Sequence, residues 1–116
     1  MDLQSIISCL PVIVDEIKTH EIEILHLEDH RRELMLELQL AESELLTRGD
    51  GPINGKNAEI RAAQLLQETG PERIRINEFE REIARKKSDL TYRQNTLRIQ
   101  LAILAFFSAR SELSID

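Results

Sequence analysis

Two histidines one helical turn apart are the first residues here that could do chemistry. His26-Leu-Glu-Asp-His30 sets two imidazoles four residues apart on one helical face, a spacing that can bind zinc or nickel. Glu23-Ile-Leu-His26 has the Glu-x-x-His spacing of di-iron helical bundles, but no second copy of it exists in the chain. A row of a different kind runs through residues 81–100, where Arg81, Arg85, Lys86, Lys87, Arg93 and Arg98 stand against Glu82 and Asp89, a local charge of +4. Arg81, Arg85, Ser88, Tyr92 and Asn95 recur at steps of three and four, so one face of a helix would carry guanidiniums and a single Tyr. Such a face can track a phosphate backbone and stack a base. Lys56 and Arg61 could extend it. Arg48-Gly49-Asp50 matches an adhesion tripeptide, but Gly-Asp-Gly-Pro is turn chemistry.

Nothing points to catalysis. Cys9 has no nearby His, and neither a Gly-rich phosphate loop nor a Gly-x-Ser-x-Gly elbow is present. The many carboxylates read as helix-surface charge, without a pocket to raise a pKa. A non-enzymatic protein without cofactor or metal is expected.

The elements that would position these residues follow from composition and period. In 116 residues, 41% are hydrophobic, 31% charged and 3% aromatic, with four Gly and three Pro, which excludes collagen-like, low-complexity and turn-rich all-β classes. Fifteen basic against 21 acidic groups give a net charge of −6, so a generally basic nucleic-acid binder is not the default. One cysteine excludes a disulfide scaffold. No apolar run approaches the ~20 residues a bilayer span needs, and Asp2 stands where a signal peptide would be basic. A soluble, cytoplasmic protein is expected.

Leu10, Ile13, Ile17, His20, Ile24, Leu27, Arg31, Leu34, Leu38, Ala41 and Leu45 alternate in steps of three and four, which is a heptad seam. With Ile24 at a, Glu23 and His30 fall at g and His26 at c, pointing sideways or outward, so a solvated surface is the better reading of the two histidines. His20, on the seam, reads as a packed polar register device. Pro11 favours a helix start, so arm one is expected over 11–48, with residues 3–9 as a lead-in turn. A turn over 49–56 follows. Asn57 can cap a short helix over 57–68 with an apolar face of Ala58, Ala62, Leu65 and Leu66. Pro71 then opens arm two, over 71–113, where Ile76, Ile83, Leu90, Leu97 and Leu104 are each seven apart. The predicted fold is a single all-α domain, a long antiparallel, coiled-coil-like helical hairpin with a short intervening helix, and oligomeric.

Charge supports the hairpin. Residues 1–50 hold 4 basic and 12 acidic groups, net −8; residues 51–116 hold 11 and 9, net +2. Antiparallel pairing with residue numbers summing to about 121 sets Leu38 by Ile83 and Ile24 by Leu97. It also sets Glu33 by Lys87, Glu28 by Arg93, Glu23 by Arg98, and Arg31 by Asp89 or Leu90. Exposed pairs are worth ~0–1 kcal/mol each, so they speak for register and not for stability. A second apolar stripe, Ile22, Leu25, Leu36 and Leu40 on arm one and Ile99, Ile103, Phe106 and Leu113 on arm two, has no partner within a two-helix hairpin. In this register Ile22 sits level with Ile99. The stripe predicts a homo-oligomer whose contacts include Ile22, Leu25, Ile99, Ile103, Phe106 and Phe107. The alternative is a monomer in which residues 3–14 fold back over the stripe.

The order long helix, Arg48-Gly-Asp-Gly51 turn, short helix, and a second long helix ending Leu97-x-Ile-x-Leu-Ala-Ile-Leu-Ala-Phe-Phe107 resembles the UvsY-like phage recombination mediators. Asn54-Gly-Lys-Asn-Ala-Glu-Ile-Arg-Ala-Ala-Gln-Leu65 looks like a motif of small phage-encoded helical proteins. The resemblance implies oligomerisation through the last helix, single-stranded DNA binding, and a recombinase or single-stranded-DNA-binding protein as partner. The family's basic residues near the end of the first helix fall here on Gln39 and Ala41, amid acids. Any DNA contact would therefore pass to Arg81, Arg85 and Tyr92, helped by Lys56 and Arg61. The alternative function is a coiled-coil structural adaptor or chaperone-like module without nucleic-acid binding.

Overall fold

The structure, a computed structural model, describes residues 2–48 and 51–114, with side chains as far as Arg110. Three helices follow one another: α1 (Leu3–Thr47), α2 (Ala58–Glu68) and α3 (Gly70–Ser114). Among the described residues there is no strand. The long helices pair antiparallel, as the periodicity required, and the short one comes between them in the chain. No described helix is long and apolar enough to cross a membrane. The Gly49-Asp50 part of the tripeptide turn and the side chain of Leu113 lie outside the described residues.

α1 begins eight residues before the expected start. Asp2 caps it: the Ser5 amide donates to Asp2 Oδ1 at 2.7 Å and the Ile6 amide to the Asp2 carbonyl at 3.3 Å. Residues 3–9 are thus helix and not a lead-in turn, and Pro11 lies inside α1. Proline removes one backbone donor there, which leaves the Ile7 carbonyl without its usual partner. Ile6, only 1% exposed, anchors the segment and offsets that loss. The same continuous helix removes the fold-back alternative for residues 3–14.

All eleven seam positions of α1 from Leu10 to Leu45 are buried or half-buried, and so are Ile76, Ile83, Leu90, Leu97 and Leu104 of α3. The register differs from the expected one. Inter-helix ion pairs join residues whose numbers add up to 109 for Glu16–Arg93 and Glu23–Lys86, 111 for Arg31–Glu80 and 115 for Glu42–Arg73. The two helices are therefore slid by six to twelve residues from a sum of 121, and Glu23 meets Lys86, not Arg98. Arg31 meets Glu80, not Asp89 or Leu90. The physical reason is that a 3.5-residue repeat on both helices fits itself again after each half-heptad, so apolar spacing cannot choose between these registers.

The chain forms two compact units, one of residues 1–25 with 84–116 and one of residues 26–83. In the second, Leu34, Ile53, Ile76 and Ile83 are buried and Thr69 is 1% exposed. Asn57 caps α2 as expected, its side chain accepting from the Ile60 amide at 2.9 Å. The expected apolar face of α2 is mostly exposed, with Leu65 alone half-buried among Ala58, Ala62, Leu65 and Leu66. Polar clips hold α2 instead. Gln64 Oε1 accepts from the amides of Asn54 (3.0 Å) and Gly55 (2.8 Å), while Gln64 Nε2 donates to Asn54 Oδ1 (2.9 Å). Arg61 donates to the Gly55 carbonyl at 3.1 Å. A Cβ on Gly55 would collide with Ile60, so this approach of loop to helix needs glycine. At the far end Thr69 donates to the Leu65 carbonyl, and Arg73 bridges Thr69 Oγ1 and Glu42.

Candidate interaction surface

In the unit of residues 1–25 and 84–116, α3 supplies a seam of two kinds. Leu90, Leu97 and Leu104 pack toward α1, but the alternate positions are Lys86, Arg93 and Gln100, seven residues apart. Lys86 Nζ donates to Glu23 Oε2 at 2.6 Å, and Arg93 Nε donates to Glu16 Oε2 at 3.0 Å. The Lys86 ammonium, by hydrogen bond and by charge, holds the Glu23 carboxyl below its ordinary pKa. Gln100 is 8% exposed and its Oε1 has no hydrogen-bond partner. Sequence reasoning set Lys87, Arg93 and Arg98 against acids of the first arm; Arg93 does meet one, Glu16 and not Glu28, while Lys86 and Gln100 were missed as seam residues. Counting by sevens from Phe79 through Lys86, Arg93 and Gln100 to Phe107 would have found them.

With half of its seam polar, this unit buries little apolar surface and leaves much outside. Leu3 and Ile7 of α1 meet Leu104, Phe107 and Ser108 of α3 around an open apolar groove. A second shallow groove is lined by Glu21, Ile24, Leu25, Lys87 and Leu90. Of the residues expected at an oligomer contact, Ile22 (52%), Leu25 (57%), Ile99 (61%) and Phe106 (62%) are exposed, Phe107 is partly so, and Ile103 is half-buried. Ile22 lies near the level of residue 87, so it does not sit beside Ile99. Phe106 and Phe107 meet edge to face, with ring centroids 5.9 Å apart. From Leu3 to Val14 and from Ile99 to Ala109 there is no charged side chain. Leu36 and Leu40, in the other unit, are also exposed.

The residues expected to meet nucleic acid are divided between the units. Arg85 and Tyr92 share a face of α3, both exposed, Tyr92 by 71%. Arg81, Lys56 and Arg61 are exposed residues of the other unit, and Arg61 is engaged in holding the 54–57 loop. Arg81 and Arg85 form no ion pair among the described residues. Arg93, by contrast, is taken up by Glu16.

His26 and His30 are exposed, and the His30 ring stacks on Phe79 at 4.9 Å and 18°. His20 Nδ1 lies 2.9 Å from the Glu16 carbonyl, a half-buried polar contact on the seam. Among the described residues no three His, Cys, Asp or Glu side chains gather as a metal would require. Cys9 is exposed and unpaired by disulfide. No family model matches the chain, and neither a curated protein nor a solved structure matches it.

Proposed function

We propose that the protein is a non-enzymatic, oligomeric helical accessory protein that associates with further copies of itself through the unit formed by residues 1–25 and 84–116. One observation carries this reading. Two charge-free helical segments lie side by side there, with Leu3, Ile7, Val12, Val14, Ile99, Leu101 and Phe106 between 40% and 62% exposed. Contiguous apolar surface of that kind, with polar residues around it, marks an interaction site. Sedimentation at several concentrations tests it. Mass rising above the 13.4 kDa of one chain is expected; a single-copy mass still present at about 100 μM overturns it.

A second reading, single-stranded DNA binding in a phage-type recombination or assembly role, draws support from the exposed, unpaired Arg81 and Arg85 and from exposed Tyr92. Phosphate contacts are strongest at low salt, so retention on single-stranded DNA at ~50 mM salt, lost in an Arg81→Glu/Arg85→Glu variant, is its expected signature. Absence of retention at that salt ends it and leaves a purely protein-binding adaptor.

A further inference from the structure

Along the outward face of α3, Arg85, Tyr92, Ile99 and Phe106 recur at sevenfold spacing, preceded on the same row by Glu78 and followed by Leu113. The four between are exposed, the last three of them by 71%, 61% and 62%. This is a second heptad row on a helix whose first row already packs on α1. A helix with two such rows has a place for a second neighbour. The order of the four residues says which neighbour. Read backwards against itself, the row sets a cation opposite an aromatic ring and an aromatic opposite an aliphatic side chain, at both ends alike.

We infer that two copies of this chain pack antiparallel along this face of α3, with Arg85 of each copy over Phe106 of the other and Tyr92 against Ile99. The contact is isologous, so one pattern serves both copies. Guanidinium over a ring face is a favourable pairing. At the centre Asn95 lies opposite Thr96, two polar side chains able to hydrogen-bond. A parallel arrangement would instead set Arg85 beside its own copy. Sliding the antiparallel pair by one heptad sets Phe106 opposite Glu78 in one direction and Arg85 opposite Leu113 in the other, so the cation no longer faces a ring. Only this register uses all four residues and opposes no like charges among them.

Area fixes how firm the contact is. Large side chains of this class carry about 150–250 Å². Tyr92, Ile99 and Phe106 at their exposures offer on the order of 400 Å² per copy, against ~800 Å² per partner in a standard stable interface. The dimer is therefore reversible and dissociates on dilution. This inference rests on the self-association proposed above and names its face and register.

The test uses the full chain with Cys9→Ser as background and two variants, Tyr92→Cys and Ile99→Cys, alone and mixed. A thiol-specific cross-linker matched to the ~8–10 Å between packed helix axes is added, and solution mass is measured on the same samples. The expected result is cross-linked dimer several-fold more abundant in the mixture than in either variant alone. An Ile99→Glu variant should shift the monomer–dimer midpoint at least tenfold upward in concentration while circular dichroism stays helical. Cross-linking of each variant by itself as efficiently as in the mixture overturns the antiparallel register. Mass above one copy without cross-linking in the mixture overturns this face and leaves self-association standing. Single-copy mass at every concentration overturns both.

Discussion

The two units of this protein are built from the same pair of helices, yet they differ in what the pairing achieves. Residues 26–83 bury Leu34, Ile53, Ile76 and Ile83 and add a short helix pinned by Gln64, Asn57 and Thr69. Residues 1–25 and 84–116 bury two large hydrophobics, Ile6 and Ile24, together with Gln100, and line their seam with Lys86 and Arg93. A heptad pattern therefore does not by itself make a finished core. What closes the other unit is a third element and, along α3, the apolar Ile76, Phe79 and Ile83 at successive seam positions. Where α3 places polar groups at one of those positions, large apolar side chains such as Ile99 and Phe106 lie exposed outside the seam.

The largest effect that sharpens this contrast is truncation inside the closed unit. Ile76→Ala, at a position 7% exposed, should cost about 3 kcal/mol in urea unfolding followed by circular dichroism. Leu101→Ala, half exposed in the other unit, should cost under about 1 kcal/mol in dilute solution. Equal costs would break the comparison.

Gln100 gives a smaller effect of opposite sign. Its Oε1 is buried without a partner, so Gln100→Leu, close in volume, should stabilise the chain by about 1 kcal/mol and raise its melting temperature. A loss of stability would mean that this glutamine is satisfied in the native protein.

The smallest effect is electrostatic. Lys86 lowers the pKa of Glu23, so the pair contributes stability above the ordinary carboxylate range. That contribution is lost as pH falls through the lowered value. Lys86→Met should flatten this part of a stability–pH curve, and high salt should do the same. An unchanged acid limb in the variant would remove the pair from any role in stability. Both side chains are partly open to solvent, 28% for Lys86 and 42% for Glu23, which keeps the effect small.

Much of this architecture was legible in the residues. The α1 seam from Leu10 to Leu45, the Asn57 cap and the heptad from Ile76 to Leu104 all follow from spacing and side-chain chemistry. The start of α1 was less legible, because Pro11 signals a helix start more strongly than Asp2 signals a cap. The Gln64 clip could not be read at all: a Gln in a helix has no spacing rule that ties it to amides nine and ten residues earlier. Exposure of Ile99 and Phe106 was implied by their place off the main seam. The division of Arg81, Arg85, Tyr92, Lys56 and Arg61 between two units was not.

Local rules thus determined which faces of which helices are apolar, because period and capping act over a few residues and are written in their order. Tertiary structure alone decided how far the helices slide along each other, and hence that Glu23 meets Lys86 and that Gln100 is buried. A repeating seam offers several nearly equivalent alignments, and the choice among them falls to contacts between residues tens of positions apart. Lys86, Arg93 and Thr69 are the groups that record that choice.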